Sequence, residues 1–540
     1  MADPELGAGN VLPKLREHGA DPDGPGITFD TPVDGRPAYE PLTLGGLEER
    51  AAARAAWLYA HGVRPRDPVA VYVTSAADVF LNFFALARIG AIPALMNGNM
   101  PAEIAPGFVE RLRAEWVIVD AAHRPALATR KGLIDAAETG TGDPAQAPPY
   151  YRHHADDPVA ITHSSGTTRV PAAVVHSHAS LFAAIRRVRL VEPRPSYAVR
   201  EMSVLPAAHA AGIITVNQAL CNRYELLYLS AQAGAPGDQG GQFATSGGAV
   251  LEAIERWRPT GVFGFAVTWA ELARHDLAAR DLDSVKVWFN TGDSAHEAHI
   301  RRLVAVGSHQ RYTPDGPLVV PGSRFIDGIG STEMGHSAFH ITHTAESNRY
   351  RRCVGRPYPF AEVALLDLET GTEVPVGAVG HVGLKSPTLA PGYWNDSLTT
   401  YRTRFGGYYL TGDLMYRDAE GYYYHVDRAV DAVDLGGGEW LYTAQSEERI
   451  LVGCPDVRDC TVVAGREEGR VVTDVLLMLD AGADPEADRT GAVRAALGPA
   501  AGATLRRVVA VPDGEIVFGP TGKVRKFLMR QRNLAGSTAG

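Results

Sequence analysis

Helix-like and strand-like runs alternate over residues 39–119, and this alternation restricts the possible fold more than any other feature of the sequence. The apolar, β-branched runs 69–73 and 116–119 predict buried strands, whereas runs 47–61 and 78–88 have the apolar spacing of helices. Strands and helices that alternate at this spacing usually form a parallel sheet covered by helices. The sequence therefore predicts a layered α/β structure.

The rest of the chain divides into regions of different character. Residues 160–329 have a second α/β pattern, residues 354–425 have short alternating runs punctuated by Gly and Pro, and the pattern after residue 428 is α+β. Since 540 residues exceed a single core, two or more domains are expected. We predict fold class α/β: a large N-terminal domain (residues 1–427) of two layered α/β subdomains plus a small β-barrel, then a small α+β C-terminal domain (residues 428–540).

The composition is typical of a soluble globular protein, with 45% hydrophobic and 21% charged residues. The 52 basic and 62 acidic side chains give a net charge of −10, which argues against a nucleic-acid-binding surface. The four cysteines lack metal-site spacing, the first residues lack the pattern of a signal peptide, and no apolar run is long enough to span a membrane. We therefore expect a cytoplasmic monomer or homodimer that binds neither nucleic acid nor membranes.

A cluster of hydroxyl residues and glycine at residues 164–168 (Ser-Ser-Gly-Thr-Thr) lies between two apolar, strand-like runs. Such a turn can present hydroxyls and backbone N–H groups to phosphate oxygens. Most clusters of this composition are ordinary surface turns, so the cluster alone does not identify a phosphate site. Its meaning depends on the other motifs in the chain.

The order of five motifs resembles that of the adenylate-forming superfamily, which comprises acyl- and aryl-CoA ligases, peptide-synthetase adenylation domains and luciferases. The resemblance extends from about residue 39 to residue 530. It implies a mobile C-terminal domain that rotates between two half-reactions, with the domain boundary at residues 427–430. The motifs are residues 164–168, 328–333 (Gly-Ile-Gly-Ser-Thr-Glu), 409–413 (Tyr-Leu-Thr-Gly-Asp), 427–428 (Asp-Arg) and 520–523 (Pro-Thr-Gly-Lys).

The resemblance also implies the ligands: ATP, Mg²⁺, a small-molecule acid, and CoA or a carrier protein as acceptor. Glu333 matches the magnesium carboxylate, Lys523 the lysine that contacts the reacting carboxylate and the α-phosphate, and Thr332 a residue close to that phosphate. His209 matches a residue near the acyl site, although a buried structural histidine is the alternative. The predicted nucleotide-binding residues are Ser164, Ser165, Gly166, Thr167, Thr168, Arg169, Gly292, Asp293, Asp327, Gly328, Ile329, Asp413 and Arg428.

Several positions depart from the family pattern. Arg169 and Ala172 stand where the phosphate loop normally has Gly and Lys, Ile329 replaces the aromatic residue that stacks on adenine, and Val430 and Asp434 replace common hinge-region residues. One charge-assisted hydrogen bond is worth about 1.5–3 kcal/mol, or roughly 10–100-fold in rate or affinity. An enzyme survives such a loss, and we hypothesise that the Arg169 guanidinium replaces the missing loop lysine.

Three functions are compatible with these motifs. The first is an ATP-dependent ligase that forms an acyl- or aryl-adenylate and transfers the acyl group to a thiol. The second is a relative that adenylates nitrite and converts an aryl amine to a diazonium, which the atypical loop and hinge favour. The third is a non-catalytic nucleotide-binding descendant, which the joint presence of Glu333, Asp413, Arg428 and Lys523 opposes.

Overall fold

The structure is a computed structural model. It describes residues 3–164, 170–189, 199–230, 246–512, 515–517 and 524–533. Six predicted site residues lie outside the described residues: Ser165, Gly166, Thr167, Thr168, Arg169 and Lys523.

The first sheet confirms the predicted α/β layering. Its central strands are parallel, rich in Val, Ile and Leu, and almost wholly buried, as expected for a sheet covered on both faces. Helices Leu44–Ala60, Ala76–Ile89 and Ala105–Leu112 connect and cover them. In spatial order the strands are Gly392–Tyr393, Ala173–Ser177, Pro158–His163, Ile92–Met96, Pro68–Tyr72, Trp116–Val119 and Leu133–Asp135.

A second, longer sheet forms the centre of the molecule and changes character along its width. Its first strands are parallel, and the strands from Phe339–His343 onward are antiparallel. In spatial order they are Ile27–Phe29, Glu225–Tyr228, Arg200–Ser203, Gly261–Phe265, Val287–Thr291, Arg324–Asp327, Phe339–His343, Cys353–Pro357, Tyr423–Arg428, Tyr408–Arg417, Gly380–Lys385 and Glu362–Leu366, with Arg404–Phe405 beside Tyr408–Arg417.

The antiparallel strands extend this sheet, and among the described residues no strand pair closes them into the small β-barrel that the sequence predicts. Among the described residues, the outermost strand, Glu362–Leu366, does not pair back to Phe339–His343. Alternating polarity reports which face of a strand is buried and does not show whether the first and last strands meet. The sequence pattern therefore could not distinguish the two arrangements.

The residues after 428 build a smaller α+β unit with an apolar cluster of its own. Ile450, Val462, Val475 and Val493 are fully buried within that cluster. Its strands are Val433–Gly436, Glu439–Leu441, Val457–Glu467, Arg470–Leu479 and Leu505–Ala510, and its helices are Thr443–Gly453, Thr490–Leu497, Pro499–Ala503 and Lys526–Asn533.

The remaining elements surround the two large sheets. They are helices Val11–Glu17, Ala136–Thr139, Ser180–Ala184, Ala210–Asn222, Gly247–Trp257, Ala266–Leu272, Glu297–Val304 and Ser397–Arg402, the π-helical turn Ile185–Arg189, the 3₁₀ turns Arg124–Leu127, Pro144–Gln146 and Leu277–Ala279, and the hairpin strands Ser308–Thr313 and Gly316–Pro321. Within the described ranges, no helix is both long enough and apolar enough to cross a membrane.

Side chains from the large and small units meet at helix Thr443–Gly453. Glu448 on that helix lies 2.6 Å from Nδ1 of His296 and accepts the backbone N–H of Glu297 at 3.2 Å. Nearby, Nε2 of His299 lies 3.0 Å from the carbonyl oxygen of Arg458. Burial alone would lower the pKa of His296, but the adjacent Glu448 carboxylate raises it, and His296 in turn holds the pKa of Glu448 below its usual range against the effect of burial.

This ion pair predicts a pH-dependent contribution to stability. The histidine's contribution is fully present below its unfolded pKa of about 6.5 and is lost as the pH rises through its raised folded pKa. The glutamate's contribution is present above its unfolded pKa of about 4.3 and is lost as the pH falls through its lowered folded pKa. We expect the difference in free energy of unfolding between the wild type and His296→Gln to be largest between about pH 4.3 and pH 6.5, and to shrink at alkaline pH.

Urea denaturation at a series of pH values measures this difference. His309→Gln is the matched control, because His309 lies on the outer hairpin and its Nδ1 contacts the carbonyl oxygen of Gly322 rather than a carboxylate. A difference for His296→Gln that stays constant from pH 5 to pH 9 would contradict the ion pair.

Candidate functional site

A cleft of about 600 Å³ opens at the carboxyl ends of the parallel strands of the central sheet. One wall consists of the segments that follow strands Gly261–Phe265, Val287–Thr291 and Arg324–Asp327. The opposite wall combines residues of strands Tyr408–Arg417 and Tyr423–Arg428 with residues of the C-terminal unit. Ligands of α/β proteins usually bind at this edge of a parallel sheet, so the cleft is the candidate active site.

Thr332 and His209 meet on the floor of the cleft. The Nδ1 atom of His209 accepts the backbone N–H of Ala211 at 3.1 Å and thereby caps helix Ala210–Asn222. The proton of the neutral ring therefore resides on Nε2, which lies 3.2 Å from Oγ1 of Thr332. His209 thus has a hydrogen-bond donor at Nε2. This protonation state suits contact with an anionic ligand better than it suits a role as a general base.

Glu333 follows directly and presents its carboxylate to the cleft beside two tyrosines. The hydroxyl of Tyr393 donates to Oε1 of Glu333 at 3.2 Å. Burial and the neighbouring Glu333 carboxylate raise the pKa of Tyr393, and burial together with the same carboxylate raises the pKa of Tyr409. Both phenols therefore stay protonated at neutral pH.

The carboxylate of Glu333 fits a magnesium ion that is shared with a phosphate ligand. Mg²⁺ prefers oxygen ligands and is commonly held by one or two carboxylates, with substrate phosphates and water completing its octahedron. Within the described part of the chain no cluster of three or more His, Cys, Asp or Glu residues could hold a metal by itself. Among the described residues, Glu333 would therefore hold such an ion together with phosphate oxygens and water.

Asp413 and Arg428 face each other across the antiparallel pair Tyr408–Arg417 and Tyr423–Arg428. The Nη1 atom of Arg428 donates to Oδ1 of Asp413 at 3.0 Å. Burial alone would raise the pKa of Asp413, but Arg428 and His425 hold it well below its usual range. Asp413 is therefore an ionised, acceptor-only group. The 15 residues that separate it from Arg428 in sequence place the two residues opposite each other in this strand pair.

The other predicted nucleotide residues divide between the surface of the cleft and the layer behind it. Gly292, Asp293 and Ile329 line the cleft, as does Ser164, whose Oγ accepts the backbone N–H of Ala172 at 3.1 Å. Gly292 has a φ of +90°, and a Cβ atom at this position would lie 3.1 Å from the ring of Phe265.

Asp327 and Gly328 are not among the described residues that line the cleft. The Asp327 carboxylate accepts hydrogen bonds from Nδ2 of Asn290 at 2.5 Å and from Oγ of Ser294 at 3.4 Å. Burial raises the pKa of Asp327 to about 7. This side chain therefore supports the turn that carries Asp293.

Sequence reasoning missed several cationic or titratable residues of the cleft, among them Arg352, His425 and Lys526. Arg352 and His425 belong to no motif, and their proximity arises only from the pairing of strands Cys353–Pro357 and Tyr423–Arg428. Lys526 had a weak signal, because it is one of only six lysines and follows Lys523 closely. Its Nζ atom donates to Oγ1 of Thr443 at 2.7 Å and lies 2.8 Å from Oε1 of Glu447.

The chain is similar to known proteins in sequence and in fold. Residues 24–394 match the family model described as AMP-binding enzyme. The chain is 43% identical to a 3-aminoavenalumate diazotase from Streptomyces sp., over 98% of this chain and 96% of that protein. It is 24% identical to a 3-hydroxybenzoate–CoA ligase from Aromatoleum sp. (strain CIB), over 92% of each chain. The crystal structure of an anthranilate CoA ligase with anthranoyl-AMP has the same fold, with a TM-score of 0.79 and 20% identity over 98% of this chain and 97% of that one.

Proposed function

Because the chain belongs to the AMP-binding enzyme family and is an adenylate-forming enzyme, we propose that it adenylates nitrite and uses the product to diazotise an aryl amine. The observation that carries this proposal is the 43% identity to a diazotase over 98% of the chain. The match to a CoA ligase over a comparable length is much weaker, at 24%. The proposed function is therefore the diazotase, which is the second of the three functions compatible with the sequence motifs.

The proposed reaction has two steps and no net oxidation or reduction. A nitrite oxygen attacks the α-phosphorus of ATP, and pyrophosphate leaves, so that the nitrosyl group becomes bonded to AMP through oxygen. The amine nitrogen then attacks the nitrosyl nitrogen, AMP leaves, and loss of water from the resulting nitrosamine, with uptake of one proton, gives the diazonium ion.

Each half of the cleft has groups suited to the first step. The ionised Asp413 would accept the ribose hydroxyls, and the guanidinium of Arg428 beside it would contact the phosphates. Glu333 would hold Mg²⁺, which when bound offsets the charge of the phosphate oxygens. The hydroxyl of Thr332, whose oxygen accepts from Nε2–H of His209, would donate to an oxyanion such as nitrite.

We also propose that the chain has two domains. Residues 1–427 form the body, and residues 428–540 form a C-terminal domain that moves between the two steps. One observation supports a boundary here: the residues after 428 have their own apolar cluster. Asp427 accepts hydrogen bonds from the backbone N–H and the hydroxyl of Thr443, and these bonds connect the two parts across the boundary.

An acid–thiol ligase is the second candidate, because the CoA-ligase relative also aligns over 92% of the chain. Gly436, Gly437 and Gly438 resemble the loop that lines the pantetheine tunnel in such ligases, and all three have positive φ values of 88°, 65° and 85°. The resemblance of this glycine loop would fit a thiol acceptor, either CoA or a carrier protein.

The decisive experiment measures AMP release with a panel of aryl amines plus nitrite, and in parallel with aryl and small carboxylic acids plus CoA. We expect AMP release to require both nitrite and an aryl amine, and the diazonium product to couple with a naphthol to give a coloured azo compound. AMP release with an aryl acid in the absence of nitrite, together with hydroxamate formation in hydroxylamine, would instead establish the ligase. No AMP release with any substrate would favour the non-catalytic descendant.

A further inference from the structure

Arg352 occupies a strained and buried position beside the cleft. Arg351 and Arg352 have left-handed φ values of 61° and 59°, and the Arg352 side chain is only 3% exposed. A non-glycine residue in this region of φ is strained and persists only where surrounding contacts hold it. Burying a guanidinium costs further free energy unless it is paired. The contacts of Arg352 therefore indicate which arrangement of side chains this strained conformation serves.

Those contacts lead from Arg352 to Asp413 through one histidine. The Nη2 atom of Arg352 lies 2.8 Å from Nδ1 of His425, and the carbonyl oxygen of Arg352 accepts the backbone N–H of His425 at 3.0 Å. An arginine only donates, so Nδ1 of His425 is the acceptor and the ring proton resides on Nε2. That Nε2 atom is buried without a hydrogen-bond partner among the described residues, and it lies 3.4 Å from Oδ1 of Asp413, the same oxygen that Arg428 contacts.

Asp413 is therefore approached by donors from two sides. Arg428 reaches it from the exposed side, with 43% of the Arg428 side chain accessible, whereas His425 is 3% exposed and lies behind it. A second carboxylate, Asp293, lies 3.4 Å from the same Nη2 atom of Arg352. The side chains of Asp327, His296 and Glu448 also interact electrostatically with the Arg352 guanidinium.

We propose that Arg352 and His425 are positioning residues for nucleotide recognition: Arg352 sets the tautomer of His425, and the Nε2–H group of His425 holds the Asp413 carboxylate in the orientation that accepts the ribose hydroxyls. This inference rests on the proposed function only in taking a nucleotide as the ligand of Asp413. It does not depend on whether nitrite or a carboxylic acid is activated.

The test compares ATP with 2′,3′-dideoxy-ATP, which lacks the ribose hydroxyls that Asp413 would bind. In equilibrium binding without a second substrate, we expect His425→Phe to weaken ATP affinity about tenfold, the effect of one net hydrogen bond. The same variant is expected to bind dideoxy-ATP as the wild type does, because the contact that His425 supports is already absent. His381→Phe is the matched control, since His381 lies on strand Gly380–Lys385, outside the cleft.

Two substitutions of Arg352 distinguish its role in positioning His425 from its role in neutralising the Asp293 carboxylate. Arg352→Gln keeps a donor toward Nδ1 of His425 and is expected to retain ribose discrimination better than Arg352→Met, which loses both donor and charge. His425→Phe carries the test if Arg352→Met does not fold. An equal loss of affinity for ATP and dideoxy-ATP in His425→Phe, or no loss for either, would overturn the inference. A wild type that binds neither nucleotide would contradict the proposed function as well, so the two failures are distinguishable.

Discussion

Replacing Lys523 by alanine is expected to lower the rate of adenylate formation by about 100–1000-fold, the loss typical of one preorganised donor at a transition-state oxyanion. The reason is electrostatic: an anion attacks the α-phosphorus of a polyanion, so most of the acceleration comes from positioned cations. The role of Lys523 comes from its motif at residues 520–523. Pyrophosphate exchange measures the first step without requiring the acceptor to be known.

Lys385→Ala is the matched control for Lys523→Ala. Lys385 pairs with Glu362 at the surface, and its side chain is 43% exposed. We expect Lys385→Ala to leave exchange unchanged, and both variants to unfold at the wild-type temperature. Exchange at the wild-type rate in Lys523→Ala would remove this lysine from the mechanism.

Lys526→Met is expected to destabilise the C-terminal unit by about 3–5 kcal/mol, the cost of leaving one partner of a buried ion pair uncompensated. Lys526 and Glu447 are 13% and 10% exposed, and their charged atoms are 2.8 Å apart. Burial alone would lower the pKa of Lys526, but the carboxylates of Glu447, Asp427 and Asp431 raise it. Removal of the ammonium leaves these carboxylates without their common counter-ion.

Urea denaturation followed by circular dichroism measures the loss, and Lys385→Met is again the control. The exposed pair of Lys385 with Glu362 is worth only about 0–1 kcal/mol, so the same chemical change should have little effect there. The double variant Lys526→Met/Glu447→Leu should recover part of the stability, because it removes the unpaired carboxylate as well. A loss in Lys526→Met no larger than in Lys385→Met would show that the buried pair contributes little.

The two lysines illustrate how far the motif reasoning reached. Lys523 stands in a Pro-Thr-Gly-Lys context that matches a family motif, whereas Lys526, three positions later, has no such context. The structure shows that Lys526 lies against helix Thr443–Gly453, at the buried junction with Asp427. Nothing in the local sequence of residues 524–533 indicates that contact.

The sequence by itself determined the α/β layering, the family, and the cleft residues Glu333, Asp413 and Arg428, because motif spacing and apolar periodicity are local properties of the chain. Only the tertiary structure decided that the antiparallel strands extend the central sheet and that Asp327 supports the cleft wall from behind. It also decided that Arg352 and His425 stand behind Asp413. These arrangements depend on which strands pair and in what register, and residues 73 positions apart meet only once that pairing is made.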